Sequence, residues 1–382
     1  MIAQYVLDSG RSNYSLTAIA NEYLHFTVKD ETEFQEANGQ MDMFDDNSQA
    51  YMDYGFDICT AVLNLVEVQQ QRIKDEQLDD VFYSVELPLI EVMASMEYEG
   101  FKVDRGTLMD FGRELSQKID EISARVFDMA GETFNLNSPF QLGDILFEKL
   151  GLPAGKKTKE IFSSADILER IKDKHPIVLA VLEYRTVSKL KSTYIDGLIP
   201  LINENDGKLH AHFNQTVTTT GRISCTEPNL QNIPVRQEMG RQLRKAFIPD
   251  SDNCVLVGAD YSQIELRVLA HMSGDEALID AFNRGEDIHR ATAANVLGVP
   301  ESEITIEERS RAKAVNFGVI YGMSSFGLSS ELNITRKDAE EYIDTYFRKH
   351  TAVKAFMDGQ VESCREKGYV TTIMGRKRYI KE

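Results

Sequence analysis

Apolar residues recur at three- and four-residue spacing through most of this chain, and they alternate with polar ones in only a few short runs. The first period belongs to helices that bury one face and the second to strands. The helical period predicts helices from Val85 to Tyr98 and from Leu108 to Ala130. Residues 1 to about 80 are helical in pattern, broken by a polar, acidic loop around residues 30–48. In the long connection FNLNSPFQLGDILFEKLGLPAGKKTKE, Asn137-Ser138-Pro139 supplies a cap and an early proline, which together open a helix. KLHAHFNQTVTTTGRI is rich in Thr, Val and His with alternation, and CVLVGAD is a short apolar run; both read as strands. Helices return from Ser262 onward, and GYVTTIMGRKRYIKE closes the sequence as a hairpin whose second strand has barely begun. Two capping boxes mark helix starts: Ser262 with Glu265, and Thr305 with Glu308.

Length and composition narrow the class. A chain of 382 residues is too long for one compact core, and ordinary domain sizes suggest roughly two to four. With 42% hydrophobic and 27% charged residues it has a globular balance, and no run approaches the ~18 apolar residues of a membrane span. The start MIAQYVLDSG lacks the basic and apolar regions of a secretory signal. Cys59, Cys225, Cys254 and Cys364 are widely spaced and form no CxxC pair, which argues against zinc and a disulfide framework and fits a reducing cytoplasm.

The net charge of -19 at first opposes a nucleic-acid partner, because phosphate contacts need Lys and Arg. Its distribution weakens that objection. Residues 30–57 hold nine acids and no base, whereas Arg236, Arg241, Arg244 and Lys245 cluster, as do Arg376, Lys377 and Arg378. An acidic body with basic strips is compatible with handling DNA, although charge alone does not establish it.

Two constellations carry candidate chemistry. Asp260 ends the apolar run Cys254–Ala259, and a carboxylate at the end of a buried strand is well placed to hold Mg²⁺; an ordinary strand-to-helix turn explains it equally. Arg309, Lys313, Phe317 and Tyr321 recur every four residues and so share one helix face. Two cations followed by two aromatics can meet a triphosphate at one end and a base at the other. The competing reading is a helix with a solvated basic turn and an aromatic turn in the core. No GxxxxGK[ST] loop is present, so phosphate binding would rest on side-chain cations.

At these same residues the chain resembles the family A DNA polymerases. DYSQIELRVLAH, from Asp260 to His271, resembles the family's first catalytic motif almost letter for letter. RSRAKAVNFGVIYG, from Arg309 to Gly322, resembles its fingers-helix motif, and TGRISCTEPNLQNIPVR, EDIHRATA, NLNSPFQL and EYRTVSKLKSTYIDGL match further segments in the family's order. The resemblance implies an α+β polymerase right hand of palm, fingers and thumb, preceded by the tail of a ribonuclease H-like 3′–5′ exonuclease domain. The implied division is 1–80 as a vestigial α/β exonuclease piece, 81–200 as thumb and connecting helices, 201–272 as partial palm and 273–382 as fingers.

It further implies template-directed addition of deoxynucleotides to a primer, with primed DNA and deoxynucleoside triphosphates as partners. The expected setting is a monomer in the cytoplasm, at the nucleoid. Asp260, with the Tyr261 carbonyl, would ligate two Mg²⁺. Arg309, Lys313 and His289 would grip the triphosphate, with Lys313 donating a proton to pyrophosphate. Phe317 would pack on the incoming sugar and base, Tyr321 would stack near the template, and Glu265 would be a steric gate against a 2′-hydroxyl. Arg222 and Gln263 would contact DNA or nucleotide near the insertion site, and Arg236 would approach the triphosphate. Lys189, Lys191 and Thr193 would track duplex phosphates.

Departures from the family pattern carry expectations of their own. No His-Asp-Glu third motif occurs, so the second palm carboxylate is missing and the chain alone is expected to be inactive. In the exonuclease motif Tyr51 matches, but the metal-binding aspartate falls on Gly55, with Asp57 two residues later, which predicts a domain without proofreading. Cys225 and Glu227 replace a more usual Ser and Asp. Two rivals stand beside this reading. A single-subunit RNA polymerase is opposed by Glu265 and Phe317, and a non-catalytic DNA-binding remnant by the intact Asp260, Arg309 and Lys313.

Overall fold

The computed structural model describes residues 1–38, 48–153, 165–234, 238–332 and 334–380. They form a mostly helical α+β fold that divides into two compact units: residues 1–88, 218–221 and 258–382, and residues 89–217 and 222–257.

The first unit begins with helices α1 (Ile2–Leu7), α2 (Leu16–Leu24), α3 (Glu31–Asn38) and α4 (Ser48–Asp75). The expected acidic loop is therefore partly helical, because Asp30 caps its first residues through Thr32 N. α2 starts where Ser15 accepts from Ala18 N. Ile19 and Ala20 of α2 then pack on Ala61 and Leu65 of α4. Among the described residues 1–80 no strand occurs, so the β component expected of an α/β piece is not found there.

The second unit contains α5 (Leu87–Glu99) from Leu89 onward, β1 (Phe101–Lys102), α6 (Arg105–Ala130), α7 (Pro139–Gly143), α8 (Ala165–Ile171) and α9 (Pro176–Leu190). Strands β2 (Lys208–Leu209), β3 (His212–Asn214) and β4 (Ser224–Thr226) and helix α10 (Glu238–Arg244) follow. α6 shows how local chemistry sets an element's ends. Asp104 accepts from Gly106 N and Thr107 N at its start, and Gly131, at φ 74°, closes it by donating to Phe127 O. Between those caps Leu108, Leu115, Ile122 and Val126 face Ile177, Val181 and Val187 of α9 in one continuous core. α7 opens as expected, with Ser138 accepting from Gln141 N and Pro139 in the first turn. β1 pairs antiparallel with β2, and β3 with β4 in the register His212↔Thr226. Glu97 of α5 fastens the second ladder by accepting from Phe213 N at 2.6 Å.

Returning to the first unit, α11 (Ile264–Ser273), α12 (Glu276–Asn283), α13 (Ile288–Leu297), α14 (Ile306–Ile320), α15 (Ser325–Leu332), α16 (Arg336–Lys349) and α17 (Thr351–Lys367) gather around one core. Its centre is Leu266, Leu278, Val315, Val319, Leu328 and Tyr346. In the hairpin that follows, β5 (Tyr369–Thr371) pairs with β6 (Lys377–Tyr379) across the turn at Gly375. Arg376 of this turn forms an ion pair with Glu86, which is 4% exposed, and its guanidinium lies 5.8 Å from the Tyr5 ring centre. Gly221, at φ 82°, leaves room for that side chain; a Cβ there would come within 2.8 Å of Arg376 Nε.

The strand expected at 254–260 is not formed. Residues Cys254 to Tyr261 run without a strand partner among the described residues, leaving Val255 80% and Val257 83% exposed. An apolar run sets strand propensity, but a ladder needs a partner from elsewhere in the chain.

Candidate functional site

α14 begins at the expected capping box. Thr305 Oγ1 accepts from Glu308 N, and the Glu308 carboxylate accepts from Thr305 N. Its inner face packs through Ala312, Val315, Gly318 and Val319, which turns Arg309, Lys313, Phe317 and Tyr321 together along the outer face. The aromatic turn is not core: Phe317 is half-buried and Tyr321 is 61% exposed. The rings stack with centres 6.5 Å apart and planes at 15°, and Lys313 Nζ lies 5.9 Å from the Phe317 centre. The stripe therefore has a cationic end and an aromatic end in contact.

α13 lies alongside. Asp287 caps it, with Oδ1 accepting from His289 N and Arg290 N, while Oδ2 accepts from Arg309 Nε at 2.6 Å. Sequence reasoning missed Asp287; only its place before an apolar-periodic stretch signals a cap, and nothing local signals Arg309, 22 positions away. Burial alone would raise the Asp287 carboxyl. The Arg309 and Arg290 N–H groups outweigh it and hold that carboxyl below the ordinary carboxylate range. Stability from a depressed carboxyl is present above its unfolded value, near ~3.9, and is lost as pH falls through the depressed value. Asp287→Asn keeps the cap and removes the charge. It should lower the melting temperature at neutral pH, with the difference from the parent shrinking in acid. Thermal melts from pH 7 downward check this, and a constant difference would contradict the linkage.

His289 is 2% exposed, with its ring centre 5.8 Å from that of Phe317. Burial, then the charges of Arg309 and Lys313, lower its pKa against the opposing pull of Asp287, so the ring is neutral at pH 7. Asn316, another residue sequence reasoning missed, hydrogen-bonds its Nδ1. A polar side chain on the buried face of α14 was the available signal.

The second expected capping box does not form. α11 starts at Ile264 behind Gln263, which has φ 54° and makes no side-chain cap bond. Glu265 instead accepts from Tyr321 OH at 2.6 Å, because a phenol offers the carboxylate a short charge-assisted bond. Glu265 thus stands at the aromatic end of the stripe. Gln263 Oε1 is buried without a partner among the described residues.

Asp260 and Tyr261 are exposed. Among the described residues no group of three or more His, Cys, Asp and Glu gathers into a possible metal site. A pair of Mg²⁺ ions needs more oxygen ligands than one carboxylate and one carbonyl. Among the described residues the donor set therefore does not fit two ions.

The remaining predicted contacts lie in the second unit. Lys189 and Thr193 are exposed, while Lys191 pairs with Asp196 at 2.9 Å. Arg222 is exposed just before β4, and Arg236 lies outside the described residues. Cys225 is buried, with Sγ 3.3 Å from Pro228 O. Tyr51 lies edge-on to Phe34. No described helix is long and apolar enough to cross a membrane.

The helical stripe and its flanking histidine lie within a stretch of the chain that matches a known family. The model for DNA polymerase family A matches residues 105–382, and the chain belongs to that family. DNA polymerase I of Bacillus subtilis (strain 168) is 44% identical over 384 residues, taking in 100% of this chain and 43% of that protein. The DNA polymerase I of Geobacillus stearothermophilus is 42% identical over 381 residues, with coverage of 100% and 43%. That of Lactococcus lactis subsp. lactis (strain IL1403) is 51% identical over 316 residues, or 82% of this chain and 36% of that protein. Among solved structures, the POL domain of Pol1 from M. smegmatis, in complex with DNA primer-template and dNTP, has a TM-score of 0.85 at 35% identity. It covers 99% of this chain and 63% of its own. The chain therefore spans less than half the length of these curated relatives.

Proposed function

We propose that this chain carries the deoxynucleotide-binding machinery of a DNA-directed DNA polymerase that extends a primer on a template. The observation that carries the reading is the α14 face. Arg309 and Lys313 stand one turn apart, followed by the stacked Phe317 and Tyr321, with His289 alongside. Two cations suit a triphosphate and two stacked rings suit a base and sugar. The solved relative's bound primer-template and dNTP support the same partners here. Arg222, Gln263, Lys189, Lys191, Thr193 and Arg236 are proposed to meet nucleotide or DNA phosphates, positioning without reading sequence. Asp260 is proposed as one carboxylate of the catalytic centre. Residues 1–80 are proposed as a non-proofreading exonuclease remnant, 81–200 as thumb, 201–272 as palm and 273–382 as fingers.

Titrating the 382-residue chain with each deoxynucleoside triphosphate tests this. Saturable binding of all four, competed by pyrophosphate, is expected; no binding of any would overturn the reading. No group of three or more possible metal ligands gathers among the described residues, and primer extension by the chain alone is proposed to be absent.

The 2.6 Å bond from Tyr321 to Glu265 favours deoxyribose over ribose. It holds the carboxylate against the aromatic end, where a 2′-hydroxyl would meet it. Tyr321→Phe removes this bond from the carboxylate, so the preference for dATP over ATP should fall about tenfold, one hydrogen bond to a charged group. Competition binding measures this, and an unchanged preference would remove Glu265 from the gate.

A further inference from the structure

Asn316 is the one polar side chain at full burial in the middle of α14, on the face that also carries Ala312, Val315 and Val319. An amide there costs stability unless its hydrogen bonds are made. Its Nδ2 lies 3.0 Å from His289 Nδ1 and 3.2 Å from Thr292 Oγ1, both on α13. Its Oδ1 has no partner among the described residues. Two amide protons thus face two acceptors. With the amide turned this way His289 Nδ1 is the accepting nitrogen, and the proton of a neutral ring sits on Nε2. Nε2 itself has no hydrogen-bond partner among the described residues. A ring with 2% exposure, one nitrogen tied and the other carrying an unspent proton, lies where Arg309, Lys313 and Asp287 all act on it. An anionic oxygen is the acceptor that would satisfy this donor together with both cations.

We infer that Asn316 is a positioning residue that locks His289 in the Nε2–H tautomer, so that a donor and not a lone pair meets a phosphate oxygen of the bound nucleotide. This rests on the triphosphate reading above. The opposite amide orientation would place Oδ1 on the histidine, draw the proton to Nδ1 and turn an unprotonated Nε2 toward the anion. That arrangement repels phosphate, so the orientation of one buried amide decides whether the site has two donors or three.

The test is the tautomer itself, read by long-range ¹H–¹⁵N correlation on the 382-residue chain labelled in its seven histidines. The His289 signal is assigned by its loss in His289→Gln. The parent chain should show the Nε2–H pattern, and dATP should move the Nε2 signal. Asn316→Asp reverses the polarity of the contact, since a carboxylate can only accept. It should convert His289 to the Nδ1–H form and weaken dATP binding about tenfold, the loss of one such bond. Thr292→Val removes only the amide's other partner and should leave the tautomer intact. An Nδ1–H pattern in the parent chain, with dATP still bound, would overturn the inference while leaving the nucleotide reading standing. The Nε2–H pattern with no dATP binding would overturn both, through the reading and not the lock. Where Asn316→Asp does not fold, the parent pattern decides alone.

Discussion

Lys313→Ala should weaken deoxynucleoside triphosphate binding by roughly 10- to 100-fold, the loss of one charge-assisted hydrogen bond of about 1.5–3 kcal/mol. The side chain is exposed on α14, one turn from Arg309 and one turn from Phe317, so the loss falls on the ligand and not on the core. Melting should move little, because exposed substitutions away from caps and pairs stay within about 0.5 kcal/mol. Lys313→Arg should recover only part of the affinity, since a planar fork does not reproduce a compact ammonium. Binding titrations at two salt concentrations check both points. Unchanged affinity in Lys313→Ala would detach the cationic end of the stripe from phosphate and leave the aromatic end without a purpose in this reading.

Glu86→Ala should destabilise the first unit by about 3–5 kcal/mol, the usual cost of stranding one member of a buried ion pair. Arg376 would be left between the Tyr5 ring and Gly221, with its Nη1 already lacking a partner among the described residues. Nearby, Glu76 accepts from Tyr379 OH at 2.6 Å and pairs with Lys377 at 3.4 Å, so β6 has a second attachment and should not detach completely. Replacing both partners by methionine removes the stranded charge and should recover most of the loss. Denaturant titration of the two variants, with hydrogen exchange at the β5–β6 amides, measures the difference. Equal stability of the single and double variants would mean that packing, not charge pairing, holds the hairpin.

These two predictions mark the limits of what the sequence discloses. The stripe was legible because its four members are related by helix geometry alone, and the Thr305–Glu308 box is equally local. The strand at 254–260 was misread for the complementary reason: its propensity is local but its partner is not. Glu265 shows the same competition at one residue, where a helix-start pattern lost its carboxylate to a phenol 56 positions away. Glu86 and Arg376, 290 positions apart, leave no trace in spacing at all. The family resemblance reached the roles proposed for the stripe, Glu265 and His289. It did not reach Asp287 or Asn316, whose partners are set by the packing of α13 on α14.

Asp287 links two helices through one side chain. One oxygen closes the first turn of α13 and the other takes the Nε–H of Arg309 on α14, the only hydrogen bond of that guanidinium among the described residues. Arg309 is therefore aimed before any ligand arrives, and less side-chain freedom is left to lose when one does. The contact that caps α13 thereby also preorganises the cationic end of α14.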